Sequence, residues 1–226
     1  MPPWEDLPPT LQTEEVRPYY EALSRRGLQL RLKRLLDVVG ATVLFVLLGW
    51  LFVILALLIK LDSPGPVFFR QRRVTQFGRE FRIVKFRTMT HRPAASGDQI
   101  TRGDDPRITR VGAVLRRYRL DEISQLIDIL RGTMSFVGTR PEVPDYVRQY
   151  TPQMRATLLL PAGVTSTASI EFKDEAQILA AAPPGQDAYV TQVLPAKMRL
   201  NLRDVRDFSI GRDLRIAFRT ILAVAT

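Results

Sequence analysis

The chain has 226 residues, with 33 lysines and arginines against 23 aspartates and glutamates, for a formal charge of +10. That surface selects anionic partners: phospholipid headgroups, a diphosphate, or nucleic acid. There is no cysteine and His91 is the lone histidine, which excludes disulfides, a thiolate nucleophile and Cys- or His-built zinc sites, and argues against a Ser/His/Asp triad.

The first residues, Met1 to Thr10, include Pro2, Pro3, Pro8 and Pro9 and lack apolar periodicity; residues 1–24 are expected to be a flexible lead. Thr13 to Leu36 can form a helix interrupted at Pro18 or Gly27, its basic face either on anionic lipid or solvated. From Val38 to Ile59 the chain carries no charge, and these roughly 22 residues meet the length needed to cross a bilayer. Arg25, Arg26, Arg31, Lys33 and Arg34 precede this run, and Lys60, Arg70, Arg72, Arg73, Arg79, Arg82 and Lys85 follow it. Basic residues on both flanks favour a segment that enters and leaves by the cytoplasmic face; an ordinary span or a buried core helix is the alternative. Gly49, followed by Trp50, is the plausible breaking point, weakly encoded because glycine costs a helix only about 1 kcal/mol. Asp37, three residues beyond Arg34, can pair with a basic flank residue.

Residues 61–226 are expected to form one globular domain. Asp62-Ser63-Pro64-Gly65-Pro66 must turn the chain. Val67 to Phe69 and Glu80 to Phe86 read as two short strands of a basic hairpin, joined around Gly78. His91 to Asp105 is polar and reads as a loop, with His91 solvent-exposed. Ile108, Val111, Val114, Leu115 and Tyr118 have helical spacing, as do Leu120, Ile123, Leu126, Ile127 and Leu130, and Gly132 is a C-terminal stop. Asp121 and Glu122 then fall in a first turn, where the helix end favours negative charge. Asp121 can simply cap that helix. Arg116, Arg117 and Arg119 just before it support another reading, in which cationic groups hold phosphate oxygens beside a carboxylate. Arg140 follows the turn at Gly138 and suits a bidentate phosphate contact or a solvated loop position. Gly163, in the turn-rich stretch Leu158 to Ile170, can bring backbone close to a ligand. Glu171 to Ala181, Ala188 to Leu202 and Gly211 to Val224 read as helices. The last has Leu214, Ala217, Phe218, Ile221 and Leu222 on one side, for core packing or the headgroup plane.

Six segments in order resemble one family. They are Lys33-Arg34-Leu35-Leu36-Asp37, Asp62-Ser63-Pro64-Gly65-Pro66 through Gln71, Lys85-Phe86-Arg87-Thr88-Met89, Asp105-Pro106-Arg107 through Gly112, Leu120-Asp121-Glu122, and Gly138-Thr139-Arg140-Pro141-Glu142. Together they resemble the monotopic phosphoglycosyl transferases, the bacterial sugar transferases. The resemblance implies an α+β, mainly helical fold: a re-entrant membrane helix-break-helix over residues 25–60, with Gly49-Trp50 at the break, and a small cytosolic catalytic domain with a short β-hairpin and interfacial amphipathic helices. It implies attachment to the cytoplasmic face of the bacterial inner membrane; the +10 charge with the apolar segment points to anionic lipid as a partner, and nucleic acid is not expected, since the sequence carries no nucleic-acid recognition motif. It implies transfer of a sugar phosphate from a nucleotide diphosphate sugar, expected to be a UDP-sugar, to polyprenyl (undecaprenyl) phosphate with release of UMP, the first membrane step of exopolysaccharide, O-antigen or capsule assembly. By position, Asp121 matches the nucleophile and metal-binding residue, Glu122 its acidic partner, and Lys85, Arg87, Arg116 and Arg140 the phosphate-binding positions; the implied cofactor is Mg2+. Departures are Gly49-Trp50 for Ser-Pro, Ser124 for a proline, Thr139 for a proline, and Pro161-Ala162 for Arg-Pro. A catalytically inactive membrane-surface scaffold of the same fold is the competing expectation.

Overall fold

The computed structural model describes residues 1–90, 105–173, 175 and 188–225. His91, the polar loop and most of the helix expected over Glu171 to Ala181 lie outside the described residues.

One element dominates. After a short helix α1 (Arg17–Ser24), which carries Pro18 in its first turn, helix α2 runs from Gly27 to Asp62 without interruption. The interruption therefore falls just before Gly27, not at Pro18, because proline at the start of a helix lacks only an N–H that would be unpaired there anyway. Helical hydrogen bonding also continues through Gly49 and Trp50, so the expected helix-break-helix is one 36-residue helix. Glycine keeps its N–H and brings no ring clash, so it does not break the ladder as proline would. The apolar window of α2 is only 11 % buried, and Val46, Leu47, Trp50, Val53 and Leu57 are among its exposed side chains.

Both ends of α2 are fastened to the same globular body. Near its start, Lys33 donates to the Val137 carbonyl (2.8 Å) and to Asp213 (2.6 Å), and Arg34 to the Ile129 and Leu130 carbonyls at 2.6 and 3.0 Å. Asp37 accepts from the Phe136 N–H at 3.0 Å instead of pairing with a basic flank residue. At the far end, Asp62 accepts from the Val111 N–H (3.1 Å), and Leu55 and Ile59 pack with Phe86 and Leu115.

The expected hairpin forms, with a longer first strand: β1 (Phe68–Val74) pairs antiparallel with β2 (Glu80–Phe86), Phe68 opposite Phe86 and Val74 opposite Glu80. Helix α3 (Arg110–Arg117) is capped by the Thr109 hydroxyl, which accepts from the Gly112 N–H. A 3-10 turn (Leu120–Gln125) leads into α4 (Leu126–Arg131), which stops at Gly132 with φ 82. Strand β3 (Met134–Val137) pairs in parallel with β4 (Ala162–Thr165), a second sheet the sequence reading lacked. A Cβ on Gly163 would sit 2.2 Å from the Gly138 N, so Gly163 allows backbone to meet backbone, not ligand. Short helices α5 (Pro144–Val147) and α6 (Thr167–Glu171) follow, then a π turn (Tyr189–Val193), α7 (Leu194–Arg206) and α8 (Ile210–Ala225).

Two further outcomes concern surfaces. The expected loose lead is packed: two proline-started 3-10 turns (Trp4–Asp6, Pro9–Leu11) place Leu7 and Leu11 in a buried cluster with Val16, Leu23, Leu159, Leu202 and Phe208. On α8, Phe218 and Ile221 are 62 % and 68 % exposed while Ile216 is buried. The predicted apolar side thus faces outward, leaving core packing to the opposite side.

Candidate active site

Three elements bring the site together. Strand β2 carries Lys85, the 3-10 turn carries Asp121 and Glu122, and the loop after β3 carries Arg140. The turn begins at Arg119, a non-glycine residue at φ 52 in the left-handed region, which reverses the chain sharply after α3. It is then bolted to β2. The Ser124 hydroxyl donates to the Val84 carbonyl (3.0 Å), and the Val84 N–H donates to the buried Asp128 carboxylate (2.8 Å). Val84 therefore fixes the register of Lys85 against Glu122. Ser124, which stands where the resembled family has proline, contributes this hydrogen bond in exchange for a rigid backbone.

The Glu122 side chain, only 12 % exposed, is held by two cations. Lys85 Nζ lies 2.9 Å from its Oε1, Arg140 Nη1 donates to its Oε2 at 3.2 Å, and Arg140 Nη2 donates to its Oε1. Burial alone would push the Glu122 carboxyl up, but the Arg140 and Lys85 charges overcome it and hold the group well below the usual carboxylate range. Burial pushes Lys85 down while Glu122 pulls it back, and Glu122 raises Arg140. Asp121 behaves oppositely. Burial and then the neighbouring Glu122 charge raise its carboxyl, with Lys85 and Arg116 opposing. Its own backbone N–H donates to the carboxylate, but among the described residues no other side chain hydrogen-bonds or ion-pairs with it, whereas Glu122 is fully engaged by side chains.

A cavity of about 690 Å³ opens beside this pair, with Glu122, Arg140, Arg117 and Arg119 on its wall. Asp121 is not among its lining residues, and Arg116 contributes charge toward Asp121 from outside the wall. Leu44 of α2 and Thr220 and Ala223 of α8 complete one side, so the cavity borders both elements whose outer faces are apolar and exposed.

Arg87 does not join this site. Its guanidinium is buried and donates to the carbonyls of Pro64 (2.9 Å), Ser63 (2.6 Å) and Ile59 (3.2 Å), fastening the turn after α2. Carbonyls freed by the end of a helix need donors, and a buried arginine satisfies several at once. Ser124 and Asp128 were missed as site-builders; a serine and an aspartate within an apolar helical stripe were the available signal.

The bacterial sugar transferase family model matches residues 28–226, and the carboxylate pair, the cations and the apolar helix all fall inside that match. The chain belongs to the bacterial sugar transferase family. It is 36% identical over 225 residues to the UDP-glucose:undecaprenyl-phosphate glucose-1-phosphate transferase of Caulobacter vibrioides, covering 98% of this chain and 79% of that protein. It is 34% identical over 198 residues to the UDP-N-acetylgalactosamine-undecaprenyl-phosphate N-acetylgalactosaminephosphotransferase of Aeromonas hydrophila, covering 86% of this chain but 44% of the relative. Exopolysaccharide production protein ExoY of Rhizobium meliloti is 34% identical over 211 residues, 85% of this chain and 84% of the relative. This bacterial sugar transferase therefore spans less than half of some relatives and most of others.

Proposed function

We propose that the chain is a membrane-surface phosphoglycosyl transferase that moves a sugar phosphate from a UDP-sugar to undecaprenyl phosphate, releasing UMP, early in exopolysaccharide, O-antigen or capsule assembly. The observation that carries this reading is the Asp121 carboxylate, free of side-chain partners among the described residues, next to a Glu122-Lys85-Arg140 array whose Glu122 and Arg140 line the cation-rich cavity, within a chain that matches the family from residue 28 onward. The neighbouring relatives act on UDP-sugars and undecaprenyl phosphate by their names.

In the chemistry proposed, an Asp121 oxygen attacks the phosphorus bonded to the sugar. The bond from that phosphorus to the bridging oxygen breaks, and UMP departs with the electron pair. An oxygen of undecaprenyl phosphate then attacks the same phosphorus and Asp121 is released. Nucleophile and target are both anionic, so the arginines on the wall must screen the diphosphate before attack. Glu122, locked by Lys85 and Arg140, is a positioning residue that aims both cations and keeps Asp121 strongly basic for a carboxylate. Mg2+ fits this donor set: one uncommitted carboxylate, at Asp121, together with substrate diphosphate oxygens, is a usual arrangement for that ion. When bound it would neutralise diphosphate charge.

The tethering of both ends of α2 to one body, at Lys33 and Arg34 and again at Ile59 and Asp62, supports a helix that does not carry its ends to opposite sides of the membrane. With the basic residues on both flanks, this favours attachment at the cytoplasmic face. The cavity's border with α2 and α8 gives a lipid-borne acceptor a direct approach.

The test is UMP release from a panel of UDP-sugars with Mg2+, with and without undecaprenyl phosphate. Release and a lipid-linked sugar phosphate are expected; a folded protein that releases no UMP from any donor would instead be the scaffold.

A further inference from the structure

On the cavity wall formed by α6 and α7 stands a second polar group that the transfer chemistry does not use. Lys197, buried on α7, donates to Glu175 Oε2 at 2.9 Å and lies 3.9 Å from Glu142 and 3.5 Å from the Tyr189 hydroxyl, which in turn donates to Glu142. Its ammonium also sits 5.2 Å from the Tyr189 ring centroid. The arrangement is rigid on the inner side and open on the outer. Glu142 and Tyr189 fix Lys197 from behind, while Lys197 and Glu175 both line the cavity with Ser169 and Phe172.

This pair has hydrogen-bonding capacity left over. Among the described residues Glu175 Oε1 has no partner, and only one of the three N–H donors of Lys197 has a short, well-defined acceptor. A carboxylate accepting two O–H groups, an ammonium donating to a third oxygen, and an apolar side chain beside them for C–H groups together match a pyranose ring. A pyrimidine edge matches poorly, because its single N–H lies between two carbonyl oxygens that a carboxylate would repel. We propose that Glu175 and Lys197, with Phe172, form the subsite that recognises the hydroxyls of the donor's sugar and so set which UDP-sugar is used. The proposal rests on the transferase reading for its ligand. It places sugar discrimination in the same cavity as Arg117, Arg119 and Arg140, where unmatched buried polar groups would penalise the wrong hydroxyl pattern.

The experiment uses the full chain in lipid nanodiscs with UDP-glucose, UDP-galactose and their N-acetylated counterparts, comparing wild type with Glu175→Gln and Glu175→Asp. For the preferred donor, KM is expected to rise about tenfold in Glu175→Gln, with the ratio of kcat/KM between epimeric donors changed several-fold and partly restored in Glu175→Asp. Inhibition by UMP is expected to stay within twofold. Equal loss for every donor, or UMP inhibition weakening in step, would overturn the proposal by assigning the pair to structure or to the base. If wild type turns over no donor, the transferase reading fails separately. Binding of UDP-sugar relative to UMP, measured calorimetrically, then decides the subsite, since a preference for UDP-sugar lost in Glu175→Gln still supports it and an unchanged preference overturns it.

Discussion

Replacing Glu122 by glutamine keeps the shape of the side chain and removes its charge, leaving Lys85 and Arg140 facing each other with no anion between them. In the native protein that carboxylate receives three hydrogen bonds from the two cations and is nearly buried. Removing one partner from a buried ionic cluster costs about 3 to 5 kcal/mol, against about 1 kcal/mol or less for a surface pair. For a chain of this size about 1 kcal/mol moves the melting point by roughly 2 to 4 °C, so Glu122→Gln is expected to lower it by about 6 to 20 °C. The deficit should shrink as pH rises. Burial already lowers Lys85, and losing Glu122 lowers it further; a lysine depressed in the folded state binds fewer protons there than when unfolded, so stability recovers as pH climbs through its folded value. Thermal unfolding of the purified protein in detergent, from neutral to alkaline pH, is the assay. The double variant Glu122→Gln/Arg140→Met should recover part of the loss. A melting point within 2 °C of wild type, or a double variant that merely sums the singles, would refute the claim that this cluster is a coupled, desolvated unit.

Asp121→Asn should reduce turnover by at least about 10³-fold, as loss of a nucleophile does, yet melt no lower than wild type. The Asp121 carboxyl is raised by burial and by Glu122, so its ionised form works against folding at neutral pH and the amide relieves that cost. By the same shift, kcat/KM should rise with pH through a value above the ordinary aspartate range, read from a pH profile. Arg87→Ala should destabilise the protein by about 2 to 4 kcal/mol, since four buried or half-buried acceptor groups lose their donor, while KM for the donor in the remaining folded enzyme stays within twofold. Because the chain lacks cysteine, single cysteines placed at Met1 and Gly211 can be labelled cleanly in oriented vesicles; both should react only from the cytoplasmic side, and a residue labelled from outside would contradict the proposed topology.

How far the fold and site could be read from residues alone differs by element, for physical reasons. That Lys85, Glu122 and Arg140 belong near one another comes from the family resemblance; the structure brings them together through the hairpin strand β2, the tight reversal at Arg119 and the loop after β3. The resemblance puts Arg87 among the phosphate-binding positions, whereas its guanidinium is buried and donates to the Ser63 and Pro64 carbonyls, contacts that a motif match does not carry. Leu7 and Leu11 looked isolated among prolines, yet two 3-10 turns bring them into the same cluster. The parallel pair β3 and β4 joins two four-residue strands far apart in sequence, too short to show period-two alternation. The uninterrupted α2 shows how little a single glycine says about a break: Gly49 keeps its N–H in the helical ladder and has open space around it.

The most direct test of the account is intact-protein mass measurement after brief exposure to a UDP-sugar and Mg2+ without lipid acceptor. A mass gain equal to one sugar phosphate, mapped to Asp121, absent in Asp121→Asn and discharged by undecaprenyl phosphate, is the predicted result. Efficient transfer to undecaprenyl phosphate with no modified protein under rapid quenching, and turnover surviving in Asp121→Asn, would contradict it.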